Sequence, residues 1–213
     1  MQPTKEGKIS VSVMCSDLMN LERDIKQLER NGVDYLHVDV MDAHFVPNLT
    51  FGVDFIAAMH RVTKLPLDIH LMVEHPLPIM EAMDIRPGDR ISLHVELGEQ
   101  LHELAKAVRA RGAHFGLVVN PSTPVEALTP YLDEIEWVIL MLVQPGFAGA
   151  KLIDGILDKV AAARRFLDEH GHPETEISVD GSVSCERARL MRDMGASIFV
   201  GGPAGIYRKG MTL

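Results

Sequence analysis

An α/β fold, and within that class a closed (β/α)8 barrel, is predicted by three observations. Short apolar runs of strand length alternate with longer segments of helical period, there are eight such runs, and no Pro/Gly/Ser-rich or low-complexity stretch divides them. Regular alternation implies parallel strands joined by helical crossovers. Eight units in one domain suit a closed barrel better than an open doubly wound sheet, which usually has fewer strands. A single barrel domain over residues 1–213 is therefore expected.

Taken in order, the strands are expected at Ile9–Met14, Tyr35–Val40, Leu67–Leu71, Ile91–Val95, Phe115–Val119, Trp137–Leu142, Glu176–Val179 and Ser197–Val200. Each is a run rich in Val, Ile, Leu or aromatic residues. Amphipathic segments at Asp17–Glu29, Leu101–Arg111, Ile156–Glu169 and Ser184–Asp193 supply helices, and Gly32, Gly112, Gly171 and Gly195 stand where left-handed C-terminal caps belong. Thr123-Pro124-Val125-Glu126 reads as a capping box, with Thr123 as the cap, Pro124 at the first helical position and Glu126 reaching back. Only 11 residues follow Gly202, so the eighth helix is expected to be short, absent or truncated.

Composition narrows the function. The 213 residues carry 21 Lys and Arg against 30 Asp and Glu, a formal charge of −9, which is the wrong sign for nucleic-acid phosphates and disfavours an anionic membrane surface. Cys15 and Cys185 stand far apart with no CxxC pairing and read as reduced thiols. No apolar run is long enough to span a bilayer, and Met1 to Lys8 is too polar for a signal peptide, so a cytoplasmic location is expected.

A barrel of this kind builds its active site at the C-terminal ends of the strands. There, period two aligns His37, Asp39 and Met41 on the interior face of the second strand, and Asp68, His70 and Met72 on that of the third, while the seventh ends in Val179-Asp180-Gly181. A single buried His or Asp is more often a hydrogen-bonded core group than a ligand. Two imidazoles and two carboxylates gathered at strand ends are costly to bury unless something pairs with them, and a divalent cation would pair with all four. Nitrogen and oxygen donors suit Zn²⁺, Mn²⁺, Co²⁺ or Fe²⁺ better than Ca²⁺ or Mg²⁺.

Glycines cluster at the ends of the last three strands, in Pro145-Gly146-Phe147-Ala148-Gly149, Asp180-Gly181-Ser182 and Gly201-Gly202. Backbone N–H groups without Cβ neighbours can approach an anion closely, and phosphate sites in this architecture sit after the last strands. The absence of GxGxxG and Walker patterns speaks against a nucleotide cofactor.

The stretches Ser12 to Leu18 (SVMCSDL), His37 to Asn48 (HVDVMDAHFVPN), Leu67 to Val73, Pro145 to Gly149 and Val179 to Ser182 (VDGS) resemble, in order and over nearly the whole chain, the ribulose-phosphate 3-epimerase family. SVMCSDL, PGFAG and VDGS look more like its allulose-6-phosphate branch than its pentulose branch. The resemblance implies a TIM barrel of the ribulose-phosphate-binding type and one divalent metal per subunit held by His37, Asp39, His70 and Asp180. By the same resemblance Asp39 and Asp180 are acid and base, and Ser12 and His70 touch substrate. It further implies phosphate binding by Gly146, Phe147, Ala148 and Gly149, by Gly181 and Ser182, and by Gly201 and Gly202, and that Met41, Met72 and Met141, with Met14 a fourth candidate, shield an enediolate from water. The chain departs from the family pattern where Gly202-Pro203 replaces Gly-Ser, Leu142 a small hydroxyl residue and Ala150 a glutamine.

The expected function is thus a metal-dependent ketose-phosphate 3-epimerase acting on a small sugar phosphate, with a homo-oligomer as the expected assembly. A phosphate-barrel lyase is opposed by the lack of a lysine at Asp68-Ile69-His70, and a non-catalytic sugar-phosphate binder by two carboxylates at one metal. His44, His94 and Cys15 lie near strand ends without an assigned role and are read as packing residues, and Asp42 as a group that orients its neighbours.

Overall fold

The computed structural model describes residues 7–207. Eight parallel strands, β1 (Lys8–Ser12), β2 (Tyr35–Met41), β3 (Leu67–Met72), β4 (Arg90–His94), β5 (His114–Val119), β6 (Trp137–Met141), β7 (Glu176–Asp180) and β8 (Ile198–Gly201), close into a barrel in chain order. Every expected strand is present, with ends displaced by at most two residues. The largest displacement has a local cause: β1 stops at Ser12 because Val13–Cys15 coils into a 3-10 turn closed by the Ser16 N–H on the Val13 carbonyl.

The crossovers carry α1 (Leu21–Arg30), α2 (Val53–Val62), α3 (Pro76–Ala82), α4 (Leu101–Arg109), α5 (Asp158–Glu169) and α6 (Cys185–Asp193). The first helix starts later than its periodicity suggests, because the Asp17 carboxylate accepts from the Met19 N–H and caps a separate short turn, Leu18–Asn20. Ser184 caps α6, accepting from the Arg187 N–H. The expected glycine caps at 32, 112, 171 and 195 all have positive φ. The capping box at Thr123 does not form. Thr123 instead donates its hydroxyl to Glu96, Pro124 is extended, and Val125–Glu134 winds as 3-10 turns around Pro130 rather than as an α-helix.

Alternation sorts the strand side chains into two cores. Leu36, Val38, Ile69, Leu71, Leu93, Leu117, Leu140, Ile177 and Val179 belong to the apolar layer shared with the helices. Inside the barrel, Val118, Trp137, Ile139 and Met141 make a smaller apolar cluster. Gly116 is what admits the indole: a Cβ there would lie 2.3 Å from the Trp137 ring. Gly116→Ala is accordingly expected to destabilise the fold by about 1–3 kcal/mol through overpacking, read as a lowered midpoint in chemical denaturation.

The N-terminal mouth of the barrel is plugged by side chains that each open a strand. Arg90 stacks its guanidinium 4.0 Å from the Trp137 ring and 4.7 Å from the Tyr35 ring, and pairs with Glu176 at 3.2 Å, which also takes the Lys8 ammonium at 2.7 Å. With that end closed by a dedicated charge and aromatic cluster, the opposite end is the one left open for chemistry.

After β8, Gly202–Tyr207 forms turns in which the N–H groups of Gly205, Ile206 and Tyr207 all meet the Gly202 carbonyl. No helix follows β8 among the described residues, and residues 208–213, the rest of the segment whose helix was expected to be short, absent or truncated, lie outside them.

Candidate active site

The open, C-terminal end holds a cavity of about 320 Å³ lined by residues from the ends of β1, β2, β3, β6, β7 and β8, among them Ser12, Asp39 and Asp180. Strand register assembles its floor. Asp39 pairs across β2 and β3 with His70, and His37 with Asp68, so period two points all four side chains into the barrel on two adjacent strands. Both imidazoles are fully buried beneath the two carboxylates that line the cavity.

The polar groups converge on one point. His37 Nε2 lies 3.2 Å from Asp39 Oδ1 and 3.7 Å from Asp180 Oδ2, while His70 Nδ1 lies 3.1 and 4.0 Å from the same two oxygens. One donor atom from each of the four residues lies within 4.8 Å of the others. A tetrahedral cation with bonds of about 2.0–2.1 Å places its ligands about 3.3 Å apart, so the spacing, the two-nitrogen two-oxygen chemistry and the burial all suit a divalent metal. On the far side of the ring, His37 Nδ1 meets Asp68 Oδ2 at 2.9 Å, and the Ser10 hydroxyl donates to that same oxygen. This fixes the His37 proton on Nδ1 and leaves Nε2 facing the cluster.

The two carboxylates differ. Burial raises the pKa of Asp39, but the His37 and His70 rings outweigh it and hold the group below the carboxylate range. The Ser12 hydroxyl adds a contact at 3.3 Å. Asp180 has only the longer ion pairs, and burial together with the neighbouring Asp39 charge pushes it above its ordinary value. Burial also pushes the Cys15 thiol up to about 11, so Cys15 is a neutral lining group rather than a nucleophile.

Met41, Met72 and Met141 lie where period two places them, and Met14 joins them from the turn after β1. Met41 and Met72 pack with Val46, flanked by Met14 and Phe45, and Met141 closes the inner core; Met14, Met41, Met72 and Met141 all line the cavity. The loop after β2 runs across the mouth. Asp42 organises it by accepting from the N–H groups of His44, Phe45 and Glu74, and Asn48 Nδ2 donates to the Gly146 carbonyl at 2.6 Å, joining it to the loop after β6.

Of the expected anion-binding residues, Gly146, Phe147, Ala148, Gly149, Gly181, Ser182 and Gly202 line the cavity. Gly201 does not: its missing side chain faces Ile206, where a Cβ would meet a methyl at 2.4 Å, so this glycine serves close packing outside the barrel. Ser182 holds a φ of 53°, a left-handed conformation unusual for a residue with a side chain. Arg187, from the first turn of α6, braces it by donating to both its carbonyl and its hydroxyl, at 2.6 and 2.8 Å. No sequence pattern singles out Arg187, because its partner is five residues away across a turn.

His94, read from the sequence as packing, lies against the cluster: its Nε2 is 2.9 Å from His70 Nε2, and its ring packs on Phe45. Burial pushes its pKa down to about 4, so the ring is neutral. Glu96 Oε2 stands 3.4 Å from His94 Nδ1, and its carboxyl is held down to about 2, burial being outweighed by the neighbouring His94 ring and the Thr123 hydroxyl.

The model of the ribulose-phosphate 3 epimerase family matches residues 8–206. Curated proteins named ribulose-phosphate 3-epimerase are similar throughout: that of Bacillus subtilis is 40% identical over 92% of this chain and 91% of its own length, and that of Treponema pallidum 38% identical over 92% and 89%. Among solved structures, a mutant tryptophan synthase alpha-subunit from Pyrococcus furiosus covers 94% of this chain and 89% of its own with a TM-score of 0.66 at 15% identity, a likeness of barrel fold alone. With the family model and both relatives spanning nearly the whole chain, the protein belongs to the ribulose-phosphate 3-epimerase family and is an isomerase of the epimerase type.

Proposed function

We propose that the protein is a metal-dependent ketose-phosphate 3-epimerase in which Asp39 and Asp180 exchange the proton at C3 through an enediolate. The observation that carries this reading is the pair of unlike carboxylates, one from β2 and one from β7, opening onto one cavity above two buried imidazoles. Inverting a carbon beside a ketone needs a base on one face of the substrate and an acid on the other, and carboxylates from separate strands supply both without moving the sugar. His37, Asp39, His70 and Asp180 would hold a single divalent cation, which supplies charge stabilisation for the enediolate oxygens. Zn²⁺, Mn²⁺, Co²⁺ and Fe²⁺ all suit the donor set.

The remaining residues bind and shield. Ser12 presents a hydroxyl beside Asp39. Met41, Met72 and Met141, with Met14, form an apolar wall that excludes water from C3. The glycines after β6, Gly181 and Ser182 after β7 and Gly202 after β8 offer backbone N–H groups to the phosphate, and the Arg187 brace keeps the Ser182 turn in its strained shape. In this reading the chain works as one barrel domain in the cytoplasm and self-associates. A monomeric mass in light scattering would remove the last element.

The relatives' names favour D-ribulose 5-phosphate, while the SVMCSDL, PGFAG and VDGS motifs favour D-allulose 6-phosphate. Proton NMR in deuterium oxide with added Mn²⁺ or Zn²⁺ is expected to show deuterium entering C3 of one of these sugars faster than the other, naming the substrate. No exchange with either across several metals would instead favour a sugar-phosphate binder.

A further inference from the structure

The two imidazoles of the cluster are supported differently. His37 has a carboxylate, Asp68, directly behind it, whereas the nitrogen of His70 that faces away from the cluster meets a second imidazole. Two ring nitrogens 2.9 Å apart share one proton, and which ring carries it decides whether His70 can act as a ligand. If His94 donated through Nε2, His70 Nε2 would accept, and its own proton would sit on Nδ1, blocking the atom that faces Asp39 and Asp180.

The surroundings of His94 select the other arrangement. Its Nδ1 is buried, has no hydrogen bond of ordinary geometry among the described residues, and stands 3.4 Å from the Glu96 carboxylate. A carboxylate accepts and does not donate, so a proton on Nδ1 is favoured and Nε2 is left as the acceptor for His70. Glu96 is itself held in place. Thr123 donates to its other oxygen, and the Lys159 ammonium clamps the Thr123 loop by donating to the carbonyls of Asn120, Pro121 and Thr123. The same contact explains why the expected capping box fails, since the Thr123 hydroxyl is already committed.

We propose that His94 and Glu96 are positioning residues that set the tautomer of His70 by a proton relay of fixed direction: His70 Nε2–H to His94 Nε2, and His94 Nδ1–H to the Glu96 carboxylate. This leaves the Nδ1 lone pair of His70 free for a cation. Neither residue touches substrate; both act through His70. The inference rests on the reading that His37, Asp39, His70 and Asp180 hold a divalent metal.

The test is made on the full chain with zinc. Nitrogen-15 NMR of the zinc-loaded protein is expected to show His94 protonated at Nδ1 and His70 at Nε2. In competition with a chelator, Glu96→Leu is expected to weaken zinc binding about 10–100-fold, the range for lost partners of metal-bound histidines. Glu96→Gln, which keeps an accepting oxygen, is expected to restore most of that affinity, which a role in folding alone would not predict. Thr123→Val, which frees Glu96 without altering it, should fall between wild type and Glu96→Leu. A His94 proton on Nε2 in the wild type, or Glu96→Leu affinity within twofold of wild type, overturns the relay. Failure of the wild type itself to bind zinc overturns the metal reading and the relay with it, so the two failures are told apart by the wild-type titration.

Discussion

Asp39→Asn and Asp180→Asn are each expected to lower the rate of C3 epimerisation by about 10²–10⁴-fold, the range for a lost general acid or base and equivalent to about 3–5 kcal/mol of transition-state stabilisation. Proton NMR in deuterium oxide distinguishes this from simple damage to the site. In the proposed mechanism each epimer presents its C3 proton to one of the two carboxylates. An enzyme lacking Asp39 should therefore still exchange the proton of the epimer served by Asp180 while failing to invert it, and Asp180→Asn should show the reverse preference. Because both residues are also proposed ligands, the comparison is made at saturating metal. Turnover within tenfold of wild type in both variants would sink the two-carboxylate mechanism. Loss of exchange with both epimers in both variants would show instead that the carboxylates matter only as ligands.

The physical origin of this pairing was legible in the sequence to an unequal degree. Asp39 and His70 follow from period two, which requires only that the strands be recognised, and they were recognisable because Leu36, Val38, Ile69 and Leu71 mark the outer faces so plainly. Asp180 needed only its position at the end of a strand in a predicted barrel. His94 obeys the same parity, yet nothing in its spacing revealed a partner. Its role depends on β3 and β4 lying side by side and on a Thr123–Glu96 contact between residues 27 apart.

The capping box fails through competition between local and long-range partners. The Thr123 segment has the residue order of a capping box, but a cap is worth only about 1 kcal/mol. The Glu96 carboxylate and the Lys159 clamp on the preceding loop offer more. Gly201, expected as one half of a phosphate-binding pair, does not line the cavity: β8 extends one residue farther than its apolar run, and the missing Cβ of Gly201 would face Ile206. Arg187 was invisible for the opposite reason, being an ordinary helix residue until the left-handed turn at Ser182 brings a carbonyl and a hydroxyl within its reach.

At the other mouth of the barrel, Arg90→Ala is expected to destabilise the fold by about 3 kcal/mol, the combined cost of a part-buried ion pair with Glu176 and of the packing of the buried Arg90 side chain against two rings. Glu176 is not left without a cation, because Lys8 still meets it after the change. For a chain of this size that is a drop in melting temperature on the order of 10 °C. The guanidinium packs over both the Tyr35 and Trp137 rings, so its loss removes two cation–π contacts and leaves a void. The effect should depend on pH in a defined direction. Burial pushes the Glu176 carboxyl up, but Lys8 and Arg90 outweigh it and hold the group below its ordinary 4.5. A depressed carboxylate contributes stability that is present above its unfolded pKa and is lost as the pH falls through the folded one. The gap in melting temperature between wild type and Arg90→Ala should therefore be widest near neutrality and narrow below about pH 4, as protonation of Glu176 removes from the wild type what the substitution has already removed from the variant. A gap that stays constant down to acid pH would assign the contribution of Arg90 to its stacking between the two rings rather than to its charge.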